Sequence, residues 1–314
     1  MTDPLESFRS QLLPGGRHVA VAEAIFHWLM GHCACARGAN RHAMDAFVAA
    51  TYEIFCAPAD ATLHENILGA QYVAVTLLAD DDYDGPPDLD PIATLLHTGH
   101  TSADSELLRC YHDVVTGLRR RGPSSAGFEA AQRDTIDNRL RERRTDMNTV
   151  GWAEHWAIRR HTIAVAPYVW CHRLARAIEL PAAVDAELAA ADLLGVVSEC
   201  VARGNDIASY NKEQAAAPAD AVPVLNSVLH YARDLGGLEP GLNAAIGEYH
   251  TAVAAFERLI TGPALERLRR DVPGVADYVD ILRAVLAGNL RAIRHLSAAR
   301  YPGTARLLDE LLTG

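Results

Sequence analysis

Apolar residues recur along this chain at three- and four-residue spacing and almost never alternate singly with polar ones, which is the period of helices and not of strands. The pattern predicts helices over 20–30, 43–56, 67–79, 105–120, 129–147, 152–178, 184–213, 221–233, 242–260 and 275–295. The natural breaks are Asp84-Gly85-Pro86-Pro87, Gly122-Pro123-Ser124-Ser125, Ala217-Pro218 and the glycines from Gly236 to Gly241. No internal repeat and no shift of composition marks a second domain, so the expectation is one all-α domain over residues 1–314 with ten or more helices.

Composition narrows the function classes. The 314 residues are 49% hydrophobic, enough for a large core, and carry 29 basic against 40 acidic side chains for a net charge of −11. Such an acidic chain is no nucleic-acid binder; the one dense basic run, Arg139 to Arg144, has acidic neighbours and reads as a solvated helix face. No apolar stretch is long enough to span a bilayer and no secretion signal opens the chain, so a cytoplasmic protein is expected. Six scattered cysteines read as reduced core thiols; His32-Cys33-Ala34-Cys35 begins a zinc pattern that no second pair completes.

Two acidic clusters carry candidate chemistry. Asp80-Asp81-Asp82-Tyr83-Asp84 crowds four carboxylates at the C-terminal end of a nearly uncharged helix, where the helix dipole is already negative. Asp80 and Asp84 share a face at i, i+4, and a hard divalent cation would relieve their repulsion. An EF-hand calcium loop fits the first six positions from Asp80 but puts Pro91 where its bidentate Glu belongs; a solvated helix end is the bland alternative.

The second cluster, Asn205-Asp206-Ile207-Ala208-Ser209-Tyr210-Asn211-Lys212-Glu213, sets Asn205, Ser209 and Glu213 at i, i+4, i+8, three oxygen donors along one helical stripe. Such donors beside a lysine suit Mg²⁺ bridged to phosphate. The apolar run before them, 184–201, argues that the stripe is buried and not merely solvated. Lys212 is also the chain's single lysine.

Asn205 to Glu213 matches the NDxxSxxKE motif at every fixed position, with the aspartate-rich segment 125 residues upstream. The sequence thereby resembles the bacterial class I terpene synthases, and the resemblance spans most of the chain. Two further features of that family recur: an arginine 46 positions before the motif's Asn, here Arg159 in Arg159-Arg160-His161-Thr162, and an Arg-Tyr pair near the C-terminus, here Arg300-Tyr301.

The resemblance implies a single-domain α-helical bundle around a central active-site cavity. It implies a Mg²⁺-dependent enzyme, with three ions, that ionises an isoprenyl diphosphate and cyclises the carbocation. Asp80, Asp81, Asp84, Asn205, Ser209 and Glu213 are then the metal ligands. Arg159, Lys212, Arg300 and Tyr301 are the diphosphate donors. Thr162 and Ile163 occupy the segment whose carbonyl triggers ionisation in the family, where Gly is usual at position 163. The physical logic stands beside the family: departure of diphosphate builds negative charge that metal, Arg and Lys stabilise, and the cation left behind needs a dry, aromatic-walled space. Aromatics are only 6% of the chain; Phe55, Tyr72, Trp156 and Tyr210 are the candidate walls, with Trp152 and Trp170 behind them. Farnesyl diphosphate is the first-choice substrate, with geranylgeranyl diphosphate or a pre-cyclised diphosphate next, and relatives that dimerise make a homodimer the assembly to test.

Three other readings differ in sequence. A chain-elongating prenyltransferase would carry a second aspartate-rich motif in place of Asn205–Glu213. A class II cyclase would carry DxDD, where residues 80–84 read DDDYD. A non-catalytic helical binding protein would have no use for the intact ligand set.

Overall fold

The computed structural model describes residues 4–32, 38–80, 89–101, 105–120, 126–145, 149–216, 226–301 and 303–313. Asp81, Asp84 and the Cys33–Cys35 pair lie outside these residues, as does the side chain of Asp80. The described chain is helical throughout, without a strand. After a 3₁₀ turn at Pro4–Gln11 come α1 (Arg17–His32), α2 (Ala39–Cys56), α3 (Leu63–Asp80), α4 (Asp90–Thr98), α5 (Glu106–Arg119), α6 (Ala126–Glu142), α7 (Trp152–Thr162) and α8 (Val165–Ala175). Then follow α9 (Ala182–Ala190), α10 (Leu193–Ala216), α11 (Ser227–Leu235), α12 (Leu238–Ile260), α13 (Pro263–Asp271), α14 (Val275–His295) and α15 (Ala305–Thr313). No described helix is long and apolar enough to cross a membrane.

The helices group into two compact units, and the chain passes between them three times. One unit holds 1–136 and 167–178, the other 137–166 and 179–314. In the first, α2 packs between α1 and α3, and α3 also meets α5. Its core includes Val21, Ile25 and Leu29 of α1 with Ala43, Phe47 and Ala50 of α2, the i, i+3/i+4 stripes that a buried helix face requires. In the second, α10 is the central helix, with α7, α9, α11, α12 and α14 all packed against it. Along α14 the buried stripe is Val279, Leu282, Leu286, Leu290 and Ile293. Each such aliphatic side chain contributes about 1.5–3 kcal/mol when fully buried. Gly204 lets α10 come close to its neighbours: a Cβ there would press on Leu290 and Asn289 of α14.

Two predicted helices are each broken in the structure. The run over 152–178 divides into α7 and α8 because Ala164 adopts left-handed backbone, φ 61. The run over 184–213 divides into α9 and α10 at Asp192, φ 53. Asp192 is held there by Arg160, whose Nη2 lies 2.6 Å from its Oδ1. Glycine at 195 leaves room for this ion pair, since a Cβ would collide with both partners. The helix predicted over 221–233 begins at Ser227 among the described residues, while 275–295 matches its helix in full. Cys56, Cys110, Cys171 and Cys200 are buried free thiols, as expected of core cysteines.

Candidate active site

Arg159 and the second motif meet in one hydrogen-bonded knot between α7 and α10. The α7 face toward the core is fixed by His155, Ile158 and Thr162, all buried, which leaves Arg159 beside them directed at α10. Its Nε and Nη2 donate to Asp206 Oδ1 at 2.9 and 2.6 Å, and Nη2 donates to Asn205 Oδ1 at 3.1 Å. The pairing that the family resemblance implies, Arg159 with a residue 46 positions later, is a direct contact here. Burial works against the Arg159 charge, but the carboxylates of Asp206, Glu142 and Glu213 outweigh it and hold the guanidinium above its ordinary range.

Asp206 is fully buried and takes part on both sides. Its Oδ2 accepts from the Ser227 N–H at 2.8 Å, and its backbone carbonyl accepts from Asn226 Nδ2 at 3.0 Å. Asn226 Nδ2 also donates to Glu213 Oε2 at 2.7 Å. Sequence reasoning missed both residues as parts of the site. Asp206 lies off the i, i+4, i+8 stripe. Asn226 lies 13 residues after Glu213, with only its place before Ser227-Val228-Leu229, an N-cap signature, to mark it.

The electrostatics of this knot suit a cation. Burial first, and the Asp206 charge next, push the Glu213 carboxyl upward, against the lowering pull of Ser209, Arg159 and Asn226. Glu213 thus lies near a second carboxylate, Asp206, whose own ion pair is with Arg159, and a cation bound beside Glu213 would favour its charged form. Among the described residues no group of three or more His, Cys, Asp or Glu converges on a metal. The available donors are the amide, hydroxyl and carboxylate oxygens of Asn205, Ser209 and Glu213, a hard-oxygen set that fits Mg²⁺ and not zinc. Lys212 is half-buried beside Glu213 and has no ion-pair partner among the described residues.

Thr162 ends α7, and its carbonyl accepts from Arg139 Nη2 at 3.3 Å. Ile163 follows with φ −66 and ψ −13, a right-handed conformation open to any residue, so this backbone does not require the glycine usual there. Left-handed geometry falls one residue later, at Ala164. Pro167, in the first turn of α8, has no N–H to offer the Ile163 carbonyl four residues back. Arg300 and Tyr301 lie in the turns after α14, with Tyr301 buried and the Arg300 guanidinium 6.0 Å from its ring centre.

The candidate aromatic walls divide between the units. In the first, Tyr72 is buried edge-on to Phe128 at 6.1 Å and tilted 6.4 Å from Tyr168, and Phe55 is half-buried. Trp170 lies under Arg173, at 4.0 Å, over the glycine at 127. In the second unit Tyr210 is buried on α10, Trp156 lies under the Arg203 guanidinium at 4.0 Å, and Trp152 stacks on His230 at 3.9 Å. His155 joins that stack, its Nδ1 3.4 Å from His230 Nδ1; burial and then the charges of Arg159, His230 and Arg203 hold it down to about 3.

Residues 71–255, more than half of the chain, match the family model described as terpene synthase family 2, C-terminal metal binding. The chain belongs to this family, and is therefore a terpene synthase, a carbon–oxygen lyase acting on isoprenyl diphosphates. Among solved structures, linalool/nerolidol synthase from Streptomyces clavuligerus, in complex with 2-fluorogeranyl diphosphate, superposes with a TM-score of 0.74 at 20% identity, over 90% of this chain and 99% of that one. A 2-methylisoborneol synthase from Streptomyces coelicolor A3(2), in complex with Mg²⁺ and geranyl-S-thiolodiphosphate, gives 0.75 at 18% identity, over 91% and 93%. Hedycaryol synthase gives 0.72 at 17% identity, over 90% and 94%. These likenesses establish the class I terpene synthase fold. A search of curated protein sequences found no match.

Proposed function

We propose that the protein is a Mg²⁺-dependent class I terpene cyclase that ionises a linear isoprenyl diphosphate, farnesyl diphosphate first and geranylgeranyl diphosphate second, and closes rings on the resulting cation. The observation that carries the reading is the knot of Arg159 with Asn205 and Asp206, beside a half-buried Glu213 that accepts from Asn226. The structures of relatives with a fluorinated geranyl diphosphate and with Mg²⁺ and a geranyl thiolodiphosphate support a diphosphate substrate and this metal.

Asn205, Ser209 and Glu213 would hold one Mg²⁺, and Asp80, Asp81 and Asp84 the others of a set of three. Bound there, the metal would supply positive charge to the departing diphosphate. The chain's own part follows from its chemistry. Arg159 presents a guanidinium already oriented by two hydrogen bonds to Asp206, so little rotamer freedom is lost when it engages phosphate oxygens. Lys212 adds a compact ammonium, and Arg300 with Tyr301 adds a donor pair from the C-terminal turns. Thr162 and Ile163 would pass engagement of Arg159 to the Ile163 carbonyl at the break before α8. Phe55, Tyr72, Trp156 and Tyr210 are the aromatic side chains whose ring faces would stabilise the cation. We take residues 1–314 as one catalytic domain made of the two units, active as a monomer or a homodimer.

Purified protein incubated with Mg²⁺ and separate C10, C15 and C20 diphosphates tests the reading by mass spectrometry of volatile products. A cyclic product from one chain length, abolished by EDTA and by Asn205→Ala, is expected. Release of linear alcohols alone would overturn cyclisation but keep ionisation. No turnover of any of the three would overturn the linear substrate in favour of a pre-cyclised diphosphate or a non-catalytic protein.

A further inference from the structure

Asn226 uses every hydrogen-bonding valence of its side chain, and only half of them serve its own helix. Its Oδ1 accepts from the N–H groups of Val228 and Leu229, at 2.9 and 3.4 Å, which caps α11. Its Nδ2 donates to Glu213 Oε2 at 2.7 Å and to the Asp206 carbonyl at 3.0 Å. The amide orientation is fixed by its surroundings: a flipped amide would set oxygen against two oxygens and nitrogen against two N–H donors. A helix cap alone does not require this residue, since Ser, Thr or Asp caps as well. Of the good capping residues only Asn also offers two N–H donors, and both go to the segment that carries the second motif.

We infer that Asn226 is a positioning residue for metal binding: its amide fixes the Glu213 carboxylate at the end of the Asn205–Ser209–Glu213 stripe, ready for a divalent cation. The inference rests on the reading of Glu213 as a Mg²⁺ ligand. Without the amide, Glu213 regains rotamer freedom and must be ordered by the cation itself, which weakens binding. Hydrogen-bond partners of metal ligands commonly matter by 10–100-fold in metal affinity. The bond also ties the start of α11 to the motif, because the neighbouring Ser227 N–H is held by Asp206 Oδ2.

The test uses the full chain and needs no turnover. Mg²⁺ is titrated at fixed inorganic diphosphate, and the rise in melting temperature gives the half-effective Mg²⁺ concentration for the wild type, Asn226→Ser, Asn226→Ala and Glu213→Gln. Serine keeps a cap but cannot reach Glu213, so Asn226→Ser should raise the half-effective concentration by roughly 10–100-fold. Asn226→Ala should match that shift and also melt lower without metal, having lost the cap. A wild-type midpoint in Asn226→Ser, with a shifted one in Glu213→Gln, would overturn the proposal and leave Asn226 a cap only. If Glu213→Gln also keeps the wild-type midpoint, the ligand reading fails and the inference with it.

Discussion

Asp206 shows how one buried carboxylate can order a site without being placed among its ligands. It is fully buried, yet each of its oxygens has a partner: Arg159 on one, the Ser227 N–H on the other. Removing one member of such a buried pair commonly costs about 3–5 kcal/mol, because a charge is left behind. His155, one turn before Arg159, is the opposite case, a buried group kept neutral. Burial and the charges of Arg159, His230, Arg203 and Arg233 hold its folded value at about 3, below the ordinary 6.5. The unfolded chain therefore binds a proton that the folded chain refuses between these values. Stability is full above pH 6.5 and falls as pH drops through this window, by up to about 1.4 kcal/mol per pH unit from this group. Urea unfolding of the wild type and His155→Gln at pH 7, 5.5 and 4.5 should show the shallower acid loss in the variant; equal slopes would mean that His155 protonates as it does in the unfolded chain. At this scale helical period places Asn205, Ser209 and Glu213 on one stripe of α10, while the pairing of Arg159 with Asn205, 46 residues apart, is implied by the family resemblance and not by period. Asp206 and Asn226 are not legible in this way, since helical period says nothing of a side chain that bonds to the start of another helix.

At the scale of elements, long amphipathic runs were read correctly, as α14 and α12 show, because a stripe sustained over five or six turns has no competing period. The short helices α4, α13 and α15, of nine residues each, give too few turns to stand out. The two helix breaks were hidden for a different reason. Left-handed backbone usually announces itself by glycine, and here it falls on Ala164 and Asp192, which the sequence does not mark. Asp192 is secured by Arg160. Ala164 carries a Cβ but no polar side-chain group to offset left-handed backbone, so its conformation stores strain of about 1–2 kcal/mol at the joint between α7 and α8. Ala164→Gly should release most of it. Allowing for glycine's greater freedom in the unfolded chain, a net gain of about 0.5–1 kcal/mol is expected. It should be read as a higher urea midpoint with an unchanged slope. Ala164→Val should move the midpoint the other way, and a stabilised valine variant would show that the joint is unstrained.

At the scale of the whole molecule, the order of segments matters as much as their packing. Residues 167–178 belong to the first unit although the chain on either side of them belongs to the second, so something must tie this short segment to its partners. The tie is polar and buried. Tyr168 donates its hydroxyl to Glu53 Oε2 at 2.7 Å, Asn66 Nδ2 donates to Glu53 Oε1 at 2.9 Å, and His172 Nε2 lies 3.4 Å from the same carboxylate. Glycine at 69 leaves the space that the Glu53 carboxylate occupies. Burial first, and then the Glu53 charge, raise the Tyr168 phenol well above its ordinary value, so it remains a donor at any working pH. A fully buried carboxylate deprived of one donor loses about 1–3 kcal/mol. Tyr168→Phe, which keeps the ring and its contact with Tyr72, should therefore lower the melting temperature by roughly 1.5–5 °C for a chain of this size. Because Glu53, Asn66 and Tyr168 are all remote in sequence from the second motif, the same variant should keep the wild-type Mg²⁺ midpoint at fixed diphosphate. A lowered melting temperature with an unmoved midpoint would assign this cluster to holding the crossing segment in place. A midpoint that shifts along with the melting temperature would instead make the α8 segment part of the metal-responsive machinery.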